Sequence, residues 1–111
     1  MDYTQLSDAE LNLEIAKIIY AGDVVYTPYT HRDDAEVFHK NGLSTMVAYC
    51  NFWKDAGPII ENNQISLDSI YEGGPRWLSF AGEDGQFRHV NSNPLRASMI
   101  VFLMLQENKD D

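Results

Sequence analysis

The side chains with the widest chemistry in this chain are its single cysteine, its three histidines and the acidic residues near them. A thiolate beside a base can act as a nucleophile, and imidazole with carboxylates can bind a metal. The candidates are Cys50, His31, His39, His89, Asp33, Asp34 and Glu36. No Cys-x-x-Cys or His-x-x-x-His pair occurs among them, and Cys50 stands in an apolar run. We therefore expect structural or solvated histidines, a buried Cys50, no catalytic residues, no metal and no cofactor.

A surface that binds another protein is the second kind of site to consider. Aromatic residues and arginine are enriched at the centres of protein interfaces. The candidate binding residues are Trp53, Gly57, Pro58, Ile59, Tyr71, Arg76 and Trp77, with Phe52 beside them. Large aromatics in a small domain usually fill the core, so we favour a core position for both tryptophans. Trp53 would then pack beneath a turn at Gly57-Pro58, and Trp77 within a hairpin.

A helix near the start of the chain must position part of any such site. Ser7 and Glu10 have the spacing of a capping box, which places the first helical residue at Asp8. The helix should end near residues 20–21, because Gly22 suits the left-handed conformation that often follows a helix. The residues spaced to form its buried face are Leu11, Ile15, Ile18 and Ile19.

A second helix is predicted near the other end of the chain. Asn93 is its N-cap and Pro94 its first helical residue, and residues 95–105 are almost wholly apolar. A helix that is apolar nearly all round is buried, either in its own domain or across the twofold interface of a homodimer. Residues 106–111 are expected to form a frayed polar tail.

The middle of the chain favours short strands. Residues 23–27 form a strand that ends before Pro28, whereas residues 33–39 fit two helical turns with acids at the start. Residues 46–50 fit a buried strand or a buried turn of helix equally well. After the break at Gly57-Pro58, one helical turn is expected over 59–63.

Further along, the predicted elements are a short strand around 65–67, a turn at Gly73-Gly74-Pro75 and a hairpin. The hairpin joins residues 76–81 to 86–90 through a four-residue loop. Together with the end helices, this order predicts one α+β domain over residues 1–111. A small, mainly antiparallel sheet would pack against the N-terminal and C-terminal helices.

Charge and composition exclude several classes of function. The chain has 17 acidic and 8 basic residues, a net charge of −9, and no basic cluster, so direct binding of nucleic acid is not expected. No run approaches the roughly 18 apolar residues that cross a membrane, and the first residues lack the basic and apolar regions typical of a signal peptide. A lone cysteine suits a reducing compartment. We therefore expect a cytoplasmic protein that does not bind membranes.

Four blocks of sequence, in order, resemble the phage NinX-like proteins, a family of unknown function from lambdoid phages and prophages. They are residues 11–17, Trp53 with residues 57–61, Trp77, and residues 93–99. The matching family patterns are Leu-x-x-x-Val-Ala-Lys, Trp followed by Gly-Gly-Pro-Ile-Ile-Glu, Trp-x-Ala, and Thr-Pro-Leu-x-Ala-Ala-Met. The resemblance covers nearly the whole chain and implies a phage accessory protein that acts in the bacterial cytoplasm.

The chain also departs from that pattern. Ala56 replaces the first family glycine, Ser79 an alanine and Ser98 one of the helix alanines, and residues 21–49 match no family pattern. The resemblance supplies no catalytic residues, because none is established for the family.

The function expected from the sequence is a non-catalytic module that binds a host or phage protein. One alternative is a binder of a small nucleotide-like ligand, or an enzyme, in phage replication or defence. That class would gather His39, His89, Cys50 or aspartates in a deep pocket. Another alternative is an acidic mimic of DNA, which would align its carboxylates at phosphate spacing on one face.

Overall fold

The computed structural model describes residues 2–27 and 33–109. The helices are α1 (Asp8–Ile19), α2 (Trp53–Asn62) and α3 (Pro94–Lys109), with short 3₁₀ helices at Tyr3–Gln5 and Glu83–Gly85. The strands are β1 (Val24–Tyr26), β2 (Ala35–Phe38), β3 (Ser44–Val47), β4 (Ser66–Tyr71), β5 (Pro75–Ala81) and β6 (Phe87–Asn91). Within this part of the chain they form two antiparallel sheets, ordered β1-β2-β3 and β4-β5-β6. The predicted α+β class with helices at both ends is confirmed, although the strands form two sheets instead of one.

The start of α1 confirms the predicted capping box. The Ser7 hydroxyl accepts a hydrogen bond from the Glu10 N–H, and the Glu10 carboxylate accepts one from the Ser7 N–H. Leu11 is fully buried, as predicted, and so is Ile15. The prediction was wrong for Ile18 and Ile19, which are 39% and 45% exposed. The core ends before the last turn of the helix, so this turn is left at the surface.

Residues 33–39, for which the sequence predicted two helical turns, contain strand β2 instead. Ala35 and Val37 are buried, whereas Phe38 faces solvent and Glu36 is half-buried. This is the period-2 alternation of a strand with one buried face. Cross-strand pairing and burial therefore outweigh the helical preference of the acidic start.

The rest of the first sheet largely agrees with the sequence. Strand β1 confirms the strand predicted in 23–27, while Pro28 lies outside the described residues. The apolar run 46–50 is divided between the end of β3 and a turn. Gly42 has a φ of +88°, a conformation that the tight β2–β3 connection requires and glycine adopts without strain.

The second sheet confirms the predicted hairpin and turn. β5 pairs with β6 from Trp77 opposite Asn91 to Ala81 opposite Phe87, and Gly73-Gly74 joins β4 to β5. α3 lies across β5 and β6. The contact includes a buried hydrogen bond of 3.4 Å between the hydroxyls of Ser79 and Ser98.

Helix α3 begins as predicted and ends later than predicted. The Asn93 side chain accepts hydrogen bonds from the N–H groups of Leu95 and Arg96, and Pro94 is the first helical residue. The helix continues to Lys109, so the predicted tail is wrong for residues 106–109. Gln, Glu and Lys are good helix formers, and they extend a helix already fixed by its buried part. Residues 110–111 lie outside the described part of the chain.

The core is built around α3. Its buried residues pack with buried residues of α1, the first sheet, α2 and the second sheet. The α3 residues that are buried within a single copy of the protein are Leu95, Ala97, Ser98, Met99, Ile100, Val101, Phe102 and Leu103. Among the described residues, no helix has the length and apolar character needed to cross a membrane.

Candidate functional site

The segment around Gly57-Pro58 is part of helix α2, so the predicted turn is wrong. The helical turn predicted over 59–63 is found as the end of this longer helix, which reaches Asn62 and starts before Pro58. Trp53 is the first helical residue, and Pro58 stands inside the helix, where it has no N–H to donate to the preceding turn. Ala56 and Ile59 are buried against the rest of the core. Their burial offsets a proline that by local preference would interrupt the helix.

Trp53 lies on the surface, so the prediction of a core position for it is wrong. Its side chain is 56% exposed, and the neighbouring Phe52 is 47% exposed. The ammonium group of Lys54 lies 5.8 Å from the centre of the Phe52 ring. Of the other α2 candidates, Pro58 is exposed and Ile59 is a core residue. The start of α2 therefore presents two adjacent aromatic rings to solvent.

The remaining predicted binding residues lie on the β4–β5 hairpin. Tyr71 is 83% exposed, whereas Trp77 is half-buried opposite Ser69. Arg76 is exposed, and its Nε donates a hydrogen bond to the Glu72 carbonyl. No hydrogen bond, ion pair or ring contact joins this group to α2 in residues 2–27 and 33–109. The predicted site thus divides into two surfaces.

A cleft of about 260 Å³ opens beside α2, and no sequence pattern indicated it. It lies between the end of α1, the residues after β3 and one side of α2. The lining residues used below are Tyr20, Tyr49, Lys54, Asp55, Pro58 and Asn63. Lys54 and Pro58 are also exposed on α2, so the cleft adjoins the surface that begins at Trp53.

Among the polar groups of this cleft, Asp55 has hydrogen-bond and ion-pair partners, whereas Tyr49 has none for its hydroxyl. The Asp55 carboxylate accepts a hydrogen bond from the Ala48 N–H at 3.0 Å, and Lys54 lies 3.5 Å from its other oxygen. The hydroxyl of Tyr49 is buried and has no hydrogen-bond partner. Burial, reinforced by Tyr20 and Asp55, raises the pKa of Tyr49, so its hydroxyl stays protonated. The only sequence clue to this group was a tyrosine within an otherwise apolar run.

Two further clefts contain none of the histidine and cysteine side chains considered as catalytic candidates. One of about 530 Å³ lies between the end of α2, the 3₁₀ helix Glu83–Gly85 and the end of α3. The other, of about 140 Å³, is a mainly apolar hollow beside Leu6 and the α1 residue Leu13. Neither includes a histidine or a cysteine.

Cys50 is a core residue, as predicted. It is fully buried, and burial raises the pKa of its thiol to about 12. Its N–H donates to the Asn12 side chain, and its carbonyl accepts from the Asn93 side chain. A thiol held in this way is a poor nucleophile at neutral pH.

His39 has a hydrogen-bonded arrangement that sequence reasoning missed. Its Nδ1 lies 3.1 Å from the Asp23 carboxylate and its Nε2 lies 2.7 Å from the Thr45 hydroxyl. Carboxylate, imidazole and hydroxyl stand in this order in general-base catalysis. None of the three clefts described above includes these side chains, however, and Thr45 is paired with Val37 in the sheet. The three hydrogen-bonded side chains connect the residue before β1 to the β2–β3 hairpin.

The other histidines offer no metal site in the described residues. The Nε2 atom of His89 is buried without a hydrogen-bond partner, and burial, with Arg96 nearby, lowers the pKa of His89. Glu36 lies on the outer side of β2, and its carboxylate accepts a hydrogen bond from the Tyr26 hydroxyl. Residues 2–27 and 33–109 contain no group of three or more His, Cys, Asp or Glu side chains placed to hold a metal ion. His31 lies outside these residues.

An exposed apolar face on the first sheet is a second surface of note. Register places Val24, Phe38 and Met46 on one side, together with Tyr26. The rings of Tyr26 and Phe38 stack at 5.1 Å, and Val24 is 67% exposed. This face provides a comparison for the α2 surface, because both expose aromatic rings.

The fold and the candidate site define a small α+β protein with exposed aromatic residues, a cleft beside α2 and a buried thiol. Within the described residues these groups do not form a catalytic set. The family model described as "Bacteriophage P22, NinX" matches residues 2–106. The chain therefore belongs to the NinX family of phage proteins, and the resemblance inferred from four sequence blocks is confirmed. No curated protein matches the chain at a significant level.

Proposed function

We propose that this NinX-family protein is a non-catalytic binding module that captures a host or phage protein in the bacterial cytoplasm. The docking surface is the outer face of α2 with its N-cap, formed by the exposed Phe52, Trp53 and Pro58 and the half-buried Gly57. The observation that carries the proposal is the exposure of Trp53 beside Phe52 on a helix. Tryptophan is among the residues that most often contribute large binding energies at protein interfaces.

Gly57 supports the same surface. A Cβ built on Gly57 meets no atom within 4 Å, and its φ is not in the left-handed region. Neither crowding nor backbone geometry therefore requires glycine, although glycine destabilises a helix interior by roughly 0.5–1 kcal/mol relative to alanine. A bare backbone on an exposed helix permits close approach by another chain. Gly57 thus has a use in docking that it lacks in folding.

The burial of Cys50 favours binding over the enzymatic alternative. The enzyme proposed as a rival would gather His39, His89, Cys50 or aspartates at one pocket. Cys50 is fully buried, none of the clefts described above includes His39, His89 or Cys50, and Asp55 is the one aspartate among their lining residues. A function carried by surface contact fits this arrangement better than one carried by a nucleophile.

Site-specific photocrosslinking in phage-infected cells tests the proposal. A photoreactive phenylalanine analogue replaces Trp53, and the matched control places it at Phe38, an exposed aromatic on the first sheet. We expect a discrete crosslinked species from position 53 and none from position 38. Gly57→Leu should abolish the crosslink by blocking close approach, while circular dichroism shows an unchanged fold.

Two results would contradict the proposal. One is the absence of any crosslink at position 53 under conditions in which the protein accumulates normally. The other is a crosslink at position 38 alone, which would move the docking surface to the first sheet.

A further inference from the structure

We propose that the cleft beside α2 receives an arginine side chain of the bound partner. The guanidinium would lie against Asp55 and the Tyr49 hydroxyl, with its aliphatic stem on Pro58. This inference rests on the proposed function, because it takes the outer face of α2 as the docking surface and adds the partner's chemistry.

The unpaired hydroxyl is the first step of the argument. Tyr49 is only 3% exposed, and its hydroxyl lacks a partner inside the fold. An unsatisfied buried polar group costs roughly 1–3 kcal/mol. Tyr49 lines the cleft together with Tyr20 and Asp55. A bound group that bonds Tyr49 would remove this cost.

Asp55 selects the charge of the bound group. A tyrosine hydroxyl both donates and accepts, so Tyr49 alone fits either sign. The Asp55 side chain is only 13% exposed, and one of its oxygens has Lys54 at 3.5 Å as its ion-pair partner. Lys54 is 74% exposed, and an exposed ion pair of this kind contributes little to stability. A guanidinium could take its place and form the stronger, geometrically defined pair with the carboxylate.

The remaining lining fits a long cationic side chain. Asn63 donates one hydrogen of its amide NH₂ to the Ile59 carbonyl, which leaves its Oδ1 available to a ligand as an acceptor and its second N–H as a donor. Tyr20 and Pro58 also line the cleft and contribute aromatic and apolar atoms against which a cationic side chain and its stem can pack. At about 260 Å³ the cleft is smaller than the roughly 300–1,000 Å³ typical of drug-sized ligands. Its size therefore suits a single side chain.

The charge of the whole chain points to the same partner. With a net charge of −9, the protein attracts basic segments and repels acidic ones at moderate salt. An arginine that docks beside Trp53 would combine this long-range attraction with a buried anchor. Arginine and tryptophan are both typical of energetically dominant contacts in interfaces.

Titration of the full-length protein with N-acetyl-arginine amide, followed by two-dimensional NMR of backbone amides, tests the inference. We expect saturable shifts at Ala48, Tyr49 and Asp55 in the millimolar range. N-acetyl-citrulline amide is the matched ligand control, since it replaces the guanidinium by a neutral urea of similar shape. It should cause no saturable shift at these positions.

Two variants and one matched control test the residues. Tyr49→Phe should weaken the arginine amide by roughly fivefold without lowering thermal stability, because it removes an unpaired buried hydroxyl. Asp55→Asn retains an acceptor for the Ala48 N–H and should weaken binding by roughly tenfold or more. Tyr71→Phe, at an exposed tyrosine on the β4–β5 hairpin, should leave binding unchanged.

The inference is overturned if arginine amide gives no saturable shift, if citrulline amide binds as well, or if Tyr49→Phe binds normally. Should position 53 crosslink a partner while arginine amide fails to bind, the docking function stands and the arginine anchor is rejected. Saturable arginine binding without any crosslink at position 53 would support the cleft and reject α2 as the docking surface.

Discussion

Helices α3 and α2 use the same structural residue, proline, in opposite ways. In α3, Pro94 is the first helical residue, directly after an asparagine whose side chain accepts two backbone N–H groups. In α2, Pro58 is an interior residue, and Phe52, the N-cap of the helix, makes no side-chain capping bond. Most of the first ten residues of α3 are buried, whereas α2 buries only Ala56 and Ile59.

This difference separates a helix that stabilises the fold, α3, from a helix that presents side chains to solvent, α2. α3 follows local rules throughout, so its cap, its first-turn proline and its apolar sequence all stabilise one buried helix. α2 breaks several rules and is held by a few core contacts, while Trp53 and Phe52 remain exposed. Local violations of this kind concentrate at functional sites in natural proteins.

The largest expected effect comes from the core face of α3. Phe102 is 2% exposed, so Phe102→Ala should lower the free energy of unfolding by about 3–5 kcal/mol. Trp53→Ala, at the exposed start of α2, should change it by less than about 1 kcal/mol. Urea denaturation of both variants measures this contrast. Similar losses from the two substitutions would break the division between a stabilising α3 and a surface-bearing α2.

The two prolines should respond with opposite signs. Pro58→Ala restores an N–H inside α2 and should raise the free energy of unfolding by about 1–2 kcal/mol. Pro94→Ala should lower it by about 0.5 kcal/mol, because the position is already compatible with proline. Thermal unfolding followed by circular dichroism gives both values. Destabilisation by Pro58→Ala would mean that the interior proline is structurally required.

The cap of α3 should contribute about 1 kcal/mol, which Asn93→Ala would remove. Asn93→Ser restores the cap yet cannot donate to the Cys50 carbonyl as the amide does at 3.0 Å. The serine variant should therefore recover most of the stability and lose the link to the loop before α2. Chemical denaturation measures the first effect, and the rate at which a thiol reagent modifies Cys50 measures the second. An unchanged rate in Asn93→Ser would argue that this link does not hold the loop.

Gly57→Ala should stabilise α2 by about 0.5–1 kcal/mol, because alanine is the better helix former and its Cβ meets open space. Differential scanning calorimetry provides the measurement. As a control, alanine at Gly22, with a φ of +101°, should destabilise the protein instead. A loss of stability at position 57 would show that glycine there serves the fold.

The smallest effect concerns pH. Burial lowers the pKa of His89 in the folded protein, so the unfolded chain binds this proton more readily. Stability linked to His89 is therefore complete above its unfolded pKa, about 6.5, and falls as the pH drops towards the lower folded value. His89→Gln should flatten the decline in melting temperature below about pH 6.5. The same slope in wild type and variant would assign that decline to other groups.

Local patterns predicted the elements whose residues agree with one another. The capping box at Ser7, the Asn93-Pro94 start and the hairpin around residues 82–85 depend on neighbours in sequence, and each was found where expected. The prediction failed at Gly57-Pro58, where a strong local helix breaker is outweighed by burial of Ala56 and Ile59.

The candidate site was less predictable, because its groups come from distant parts of the chain. The sequence identified Trp53 and Pro58 as binding candidates but assigned Trp53 to the core. Exposure of a tryptophan depends on what packs around it, which no local pattern records. Tyr49 and Asp55 were missed, because an unpaired hydroxyl is recognisable only once its surroundings are known.

The family, the α+β class, the caps of two helices and the acidic charge can all be inferred from residue types and short spacings in the chain. The continuity of α2, the exposure of Trp53 and the cleft around Tyr49 and Asp55 become visible only in the folded structure. The physical reason is the range of the interactions. Capping and turn chemistry act over a few residues, whereas burial depends on contacts between residues far apart in the chain.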